Sequence, residues 1–199
     1  MIELPTDLPA DLVPLSWLLG VWEGTGVIDY EDGEGRRFEG EFAHRVSFSH
    51  DGGDYLNYTG HAHMLADPQT ALVAETGFWR LARAATDVDA GPGLLPAVAE
   101  PVNRTADDVE ALRTAEGGFE IEVALVHSDG VSEIYVGQVR GPRIDIATDA
   151  VMRSASAKPY AAATRMYGLV DNHLLWAWDI AALGAPLASH ASARLARVQ

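Results

Sequence analysis

Apolar and polar residues alternate along most of this chain. Between Phe38 and Phe48 the residues Phe42, Val46 and Phe48 recur on even positions, and from Tyr55 to Leu65 the alternation resumes through Leu56, Tyr58, Gly60, Ala62 and Met64. A period of two sends successive side chains to opposite faces of an extended backbone, so both stretches predict strands with one buried face. His50-Asp51-Gly52-Gly53 between them is a hairpin signal. Val21 to Tyr30, Leu72 to Leu81, Phe119 to His127, Val131 to Val139, Arg143 to Val151, Ala163 to Val170 and His173 to Leu183 predict further strands, most of them joined by Gly, Pro, Asn or Asp. Helical periodicity is scarce. Short strands at close spacing favour a barrel or a sandwich, and closure removes exposed strand edges. The expected fold is all-β, a closed antiparallel up-and-down barrel of about ten strands in one domain spanning 1–199.

Two segments depart from the alternation. Pro5 to Pro14 holds three prolines and reads as an irregular lead-in to the apolar cluster Leu15, Trp17, Leu18 and Leu19, where a short helical turn would plug a barrel end. Ala84 to Gly118 contains Gly91-Pro92-Gly93, Pro96 and Pro101, then an acidic stretch with helical character from Ala106 to Leu112. It reads as an inserted loop. Loops of this length are usually lids or disordered segments, and the acidity here favours disorder.

Composition narrows the function. A hydrophobic share of 48% is ordinary for a globular chain, which argues against both disorder and membrane residence. No apolar run approaches the length of a membrane span, and the acidic start, with Glu3, Asp7 and Asp11, lacks the basic region of a signal peptide, so a cytoplasmic protein is expected. The absence of cysteine excludes disulfides, thiolate nucleophiles and Cys-based metal sites. A net charge of −15 opposes binding to a phosphate backbone, so nucleic acid is not an expected partner. A homodimer would use an exposed strand edge or a flat barrel face, and no motif selects one.

The most distinctive local pattern is Gly20-Val21-Trp22-Glu23-Gly24-Thr25-Gly26. It lacks the spacing and the following helix of a dinucleotide-binding loop. Glycine on a strand permits sharp bending and close backbone approach, which favours a scaffold role over ligand contact. His61 and His63 share a strand face and would aim two imidazoles at one metal, but no third ligand stands at a recognisable spacing, so a surface or barrel-mouth pair is expected. His127 and His173 adjoin turns and are expected to be solvated, and His44 and His50 flank a hairpin. Glu120 and Glu122 fit a solvated strand face, and Ser47, Ser49 and Ser128 lack the context of a nucleophile elbow. His190 follows a strand containing Trp176, Trp178 and Ile180. A neutral imidazole in an apolar pocket is what an axial haem ligand requires.

Several of these segments together resemble a known family, the nitrobindins, ferric haem-binding barrels with an architecture like that of fatty-acid-binding proteins and other calycins. The resemblance rests on Pro14-Leu15-Ser16-Trp17-Leu18-Leu19 leading into the Gly-x-Trp-x-Gly-x-Gly signature at Gly20, Trp22, Gly24 and Gly26, and on Phe48-Ser49-His50-Asp51-Gly52. It continues through Glu75-Thr76-Gly77-Phe78-Trp79-Arg80, Glu122-Val123-Ala124-Leu125, Gly130-Val131-Ser132-Glu133-Ile134 and Pro186-Leu187-Ala188-Ser189-His190, so it covers nearly the whole chain outside the insert. The resemblance implies one ferric haem b per chain with His190 as the axial iron ligand, Lys158 as a haem-contacting lysine, and the glycine-tryptophan signature as scaffold beside the pocket. It implies isomerisation of peroxynitrite to nitrate at the iron, with no protein nucleophile, and reversible binding of nitric oxide. The chain departs from the family where Tyr30 leads into Glu31-Asp32-Gly33 instead of Tyr-Pro-Thr, which removes a threonine expected near the haem. The alternative expectation is a haem-free barrel that carries or senses a fatty acid or another small apolar ligand.

Overall fold

The computed structural model describes residues 8–198 except 67 and 101, so Glu3, Pro5, Asp7 and Pro101 lie outside the described residues. Ten antiparallel strands form a closed barrel: β1 (Gly20–Glu31), β2 (Arg37–Ser49), β3 (Tyr55–Met64), β4 (Glu75–Leu81), β5 (Phe119–His127), β6 (Val131–Arg140), β7 (Arg143–Arg153), β8 (Tyr160–Val170), β9 (His173–Ala182) and β10 (Ala188–Arg197). Each strand pairs with its neighbours in sequence, and β10 returns to pair with β1. The expected up-and-down topology is therefore the observed one, and closure gives every strand a neighbour on both sides, with β7 and β8 paired only over residues 143–147 and 164–168. The alternation that predicted these strands is the alternation of burial: on β4, Glu75, Gly77, Trp79 and Leu81 face inward while the residues between them face out.

The two barrel ends are built differently. At the end where β1 begins, a 3-10 helix over Ala10–Leu18 presses Leu12, Leu15 and Leu18 into the barrel, each fully buried. Sequestering each leucine contributes about 2 kcal/mol. The indole Nε1 of Trp22 donates to the Leu18 carbonyl at 2.7 Å and ties the plug to β1. The lead-in is thus shorter than its prolines predict, because Pro14 lies inside the helix.

The long connection from β4 to β5 lies at this same plugged end. Its α1 (Ala106–Glu110) packs against the 3-10 helix and buries Val109. Thr105 and Asp108 cap α1 reciprocally, Arg104 pairs with Asp11 at 2.8 Å, and Arg83 bridges Asp54 and Asp89. Of the insert's acidic residues, read as a sign of disorder, Asp89 instead pairs with Arg83 and Asp108 caps α1, while the insert's Arg104 reaches Asp11 of the plug. The other barrel end is formed by the turns after β1, β5, β7 and β9 and by the loop after β3. The insert is therefore no lid over that end.

The start of β4, the start of β8 at Tyr160 and not Ala163, and the existence of β10 differ from expectation. β4 starts at Glu75 and not at Leu72, because residues 72–74 follow a single isolated bridge from Ala71 to His63. β10 was not among the predicted strands: its small residues carry little hydrophobic contrast, and its pairing with β9 slips between Ser189 and Ala191.

Candidate functional site

A cavity of about 250 Å³ occupies the barrel interior toward the unplugged end. Ile28, Phe42, Val46, Trp176 and Ile180 make its walls mainly apolar, and the side chains of His44, Glu75, His127, Tyr160, Arg165 and His190 interrupt them.

His190 reaches this cavity through a β-bulge. Ser189 pairs with Asp179 and Ala191 with Trp178, which leaves His190 as the extra residue on β10. Ala193 and Leu195 are buried, so a regular strand would point position 190 outward; the bulge instead brings both His190 and Ala191 to the cavity. Trp178 meets the imidazole edge-on at 5.0 Å between ring centroids and Tyr30 at 6.0 Å, which fixes its plane. Burial pushes the His190 pKa down to about 4, against a smaller upward pull from the Trp178 main chain, so the ring is neutral near pH 7. Its Nδ1 is buried with no hydrogen-bond partner.

A second histidine, His44, faces the same cavity from β2. Its Nδ1 accepts a hydrogen bond from Trp176 Nε1 at 3.2 Å, and burial lowers its pKa to about 4. Nothing in its hairpin position marked it. Its parity did, since Phe42, Val46 and Phe48 on the same strand all face inward.

Beside the histidines lies a buried polar cluster that the sequence reading missed. Arg165 donates from Nη1 and Nη2 to the two Glu75 carboxylate oxygens at 2.9 and 2.8 Å, and from Nε to the Tyr135 hydroxyl at 2.9 Å. Tyr135 donates to Glu133 at 2.7 Å, the other Glu133 oxygen lies 2.7 Å from His127 Nε2, and the Tyr58 hydroxyl donates to Glu75. The guanidinium stacks over Trp178, its Cζ 3.7 Å from the ring centroid. Burial alone would raise the Glu75 pKa, but the charge and hydrogen bonds of Arg165 outweigh it and hold the carboxyl below its ordinary range. Glu133 is held low in the same way by His127, Arg165 and Tyr135. His127 is 7% exposed, which corrects the expectation that it is solvated: as the last inward position of β5 it is sealed by this cluster.

The remaining candidates fall outside the cavity. Gly24 and Gly26 lie where β1 and β10 approach closely; a Cβ would stand 2.2 Å from the Arg194 carbonyl oxygen at the first and 2.3 Å from that of Ser192 at the second. With Gly20 leading in and Trp22 bonded to the plug, the signature is placed as scaffold and does not line the cavity. Lys158 is exposed on the loop between β7 and β8 at the unplugged end, two residues from the cavity-lining Tyr160 and not itself in the lining. His61 and His63 face outward, since Gly60 and Ala62 between and before them line the cavity. Where the family has Tyr-Pro-Thr, Tyr30 donates to the Ala182 carbonyl at 2.8 Å, and the buried Asp32 carboxylate accepts the Glu34 and Arg36 amides to shape the β1–β2 turn.

Three buried polar atoms without partners, His190 Nδ1, Trp178 Nε1 and the Tyr160 hydroxyl, belong to cavity-lining residues. Such atoms cost about 1 to 3 kcal/mol each unless something binds them. A neutral imidazole with an unengaged nitrogen, held between aromatic edges in an apolar wall, fits the axial position of a haem. A bare metal ion is not favoured, because the described residues contain no group of three His, Asp or Glu arranged to hold one. Nor does any described helix have the length and apolarity to cross a membrane.

Comparison with known proteins places the fold in a family. The model of the THAP4-like, heme-binding beta-barrel domain matches residues 11–197. A protein of Leifsonia xyli subsp. xyli named peroxynitrite isomerase is 62% identical over 199 residues, covering all of both chains. Proteins of the same name from Clavibacter michiganensis and Kocuria rhizophila are 60% and 50% identical over 201 residues each, covering all of this chain and 100% and 96% of theirs. The crystal structure of Rv2717c from M. tuberculosis superposes with a TM-score of 0.67 at 27% identity, covering 99% of this chain and 100% of that one. With a barrel of this form and a family match across nearly its whole length, the chain belongs to the THAP4-like haem-binding β-barrel family, the nitrobindins.

Proposed function

We propose that the chain binds one ferric haem b through His190 and isomerises peroxynitrite to nitrate, with nitric oxide as a further ligand. The observation that carries this reading is the bulge on β10, which turns a neutral, otherwise unpartnered imidazole into an apolar cavity. A bulge interrupts the ladder of strand hydrogen bonds, and such irregularities concentrate where a side chain must be re-aimed. The names of the full-length relatives support the reaction.

His190 would hold the haem iron, and Trp178 and Tyr30 keep the ring in one orientation. Haem bound there supplies a ferric Lewis acid toward the O–O bond of peroxynitrite. The chain's own contribution is to restrict water with apolar walls and to keep the imidazole uncharged, so that protons do not compete with iron for its lone pair. No serine or cysteine nucleophile is needed for a rearrangement within one molecule.

The test is an absorbance titration of the purified protein with ferric haem beside His190→Ala. A saturable one-to-one Soret shift that the variant loses is the expected result and would justify peroxynitrite kinetics. No specific shift in the wild type would overturn the haem reading and leave an iron-free carrier of an apolar ligand.

A further inference from the structure

Three histidines line one cavity; His127 is bound into the polar cluster, and the hydrogen bonds of the other two, His44 and His190, give them different chemistry. We propose that His44 is a hydrogen-bond donor to a small oxyanion or diatomic ligand held in the cavity, and that Trp176 is the positioning residue that fixes the tautomer which donates. The inference rests on the haem reading above and adds a ligand-contacting residue to it.

An indole nitrogen can only donate. The 3.2 Å bond from Trp176 Nε1 therefore makes Nδ1 of His44 the acceptor, and the single proton of the neutral ring must sit on Nε2. A histidine binds iron through a deprotonated ring nitrogen. In His44 one nitrogen is engaged by Trp176 and the other carries the proton, so this ring is a donor and not a second iron ligand. His190 has no such constraint, because no side-chain donor engages its ring and the Trp178 main chain beside it can only accept from it at its carbonyl. Trp176 in turn meets the His44 ring edge-on at 5.2 Å and packs against Phe42 at 5.9 Å, so the donor's orientation is set by an aromatic group and not by a mobile chain.

The ring lines the cavity directly, and its cross-strand neighbours, Gly24 on β1 and Ala62 on β3, carry no side chain long enough to cover it. In an apolar wall a neutral N–H is a stronger donor than in water, and it selects acceptor atoms without adding a fixed charge to the cavity.

The experiment compares wild type, His44→Leu, His44→Gln and Trp176→Phe, each loaded with haem. The readouts are the haem titration, the spin state of the ferric form, ferric fluoride affinity and the C–O stretching frequency of the ferrous carbonyl complex. The expected result for His44→Leu is retained haem binding, a C–O band at higher wavenumber and roughly fivefold to tenfold weaker fluoride binding, the worth of one neutral hydrogen bond. His44→Gln, whose amide can still donate, should recover part of both effects. Trp176→Phe should broaden or split the C–O band, because the ring can then adopt either tautomer; a merely structural role for the indole would leave that band in place. An unchanged C–O frequency and fluoride affinity in His44→Leu would overturn the proposal while the Soret band upholds haem binding. A low-spin six-coordinate wild type that becomes five-coordinate in His44→Leu would also overturn it, because His44 would then be a ligand. If no form, wild type included, gives a His190-dependent Soret band, this proposal and the haem reading fail together.

Discussion

The two ends of this barrel solve the same problem, filling a closed β-structure, with opposite chemistry. At the plugged end Leu12, Leu15 and Leu18 enter from a 3-10 helix and the interior is mainly apolar, with Asp11 at its margin paired to Arg104. At the other end the inward positions carry Glu75, His127, Glu133 and Arg165, all buried, beside a cavity. Non-directional packing needs only volume and tolerates exchange among apolar residues. The polar end depends on complete partnering, since a buried charge that loses its partner has nothing to replace it. The plugged end is thus where stability is stored, and the polar end is where it is risked to hold Trp178 and, through its ring, His190 in place.

That contrast can be broken by experiment. The largest effect is expected for Arg165→Met, which leaves the Glu75 and Glu133 carboxylates without their shared cation: chemical denaturation should show a loss of about 3 to 5 kcal/mol, with weaker haem binding. A loss no greater than that of an exposed arginine would mean that the polar cluster is not the fragile end. Leu15→Ala at the plugged end should cost about 2 to 4 kcal/mol and leave the haem titration of the folded protein unchanged.

The pH response separates the ends further. His44 has its pKa lowered from 6.5 to about 4, so the unfolded chain takes up a proton at this position in a range where the folded chain does not. Stability contributed by the neutral ring is present above about pH 6.5 and is lost as pH falls toward 4, by at most about 1.4 kcal/mol per pH unit. Below about pH 4.5 the lowered carboxyls of Glu75 and Glu133 add a second loss with the same sign. Denaturation midpoints measured from pH 8 to 4 should show the first stage diminished in His44→Leu and intact in Leu15→Ala.

A smaller effect is expected at His190. Replacing it with Leu removes a buried polar atom that lacks a partner, so the stability of the haem-free protein should change by no more than about 1 kcal/mol or rise, while the Soret shift is lost. Lys158→Ala, on its exposed loop, should leave denaturation unchanged.

Much of the site was readable from parity. Glu75 shares its parity with Gly77, Trp79 and Leu81, Arg165 with Ala163 and Tyr167, and His127 with Val123 and Leu125, so each charged or titratable residue occupies a place in an inward row. What parity could not show is which of these meet across the barrel, since Arg165 and Glu75 lie 90 residues apart and their strands are not neighbours. At His190 parity itself misleads, because the bulge adds one residue and reverses which face it serves.

By itself, then, the sequence determined the strand periodicity, the plug and the glycine-tryptophan scaffold, because these depend on local alternation, on a contiguous apolar cluster and on positions where a Cβ cannot fit. The tertiary structure alone decided that the insert braces the plugged end, that Glu75, His127, Glu133 and Arg165, distant in sequence, bond to one another, and that His44 and His190 reach one cavity with different hydrogen-bond partners. Closure of the barrel brings those groups together. Hydrogen-bond partners, which no residue carries in its own name, then determine what each of them can do.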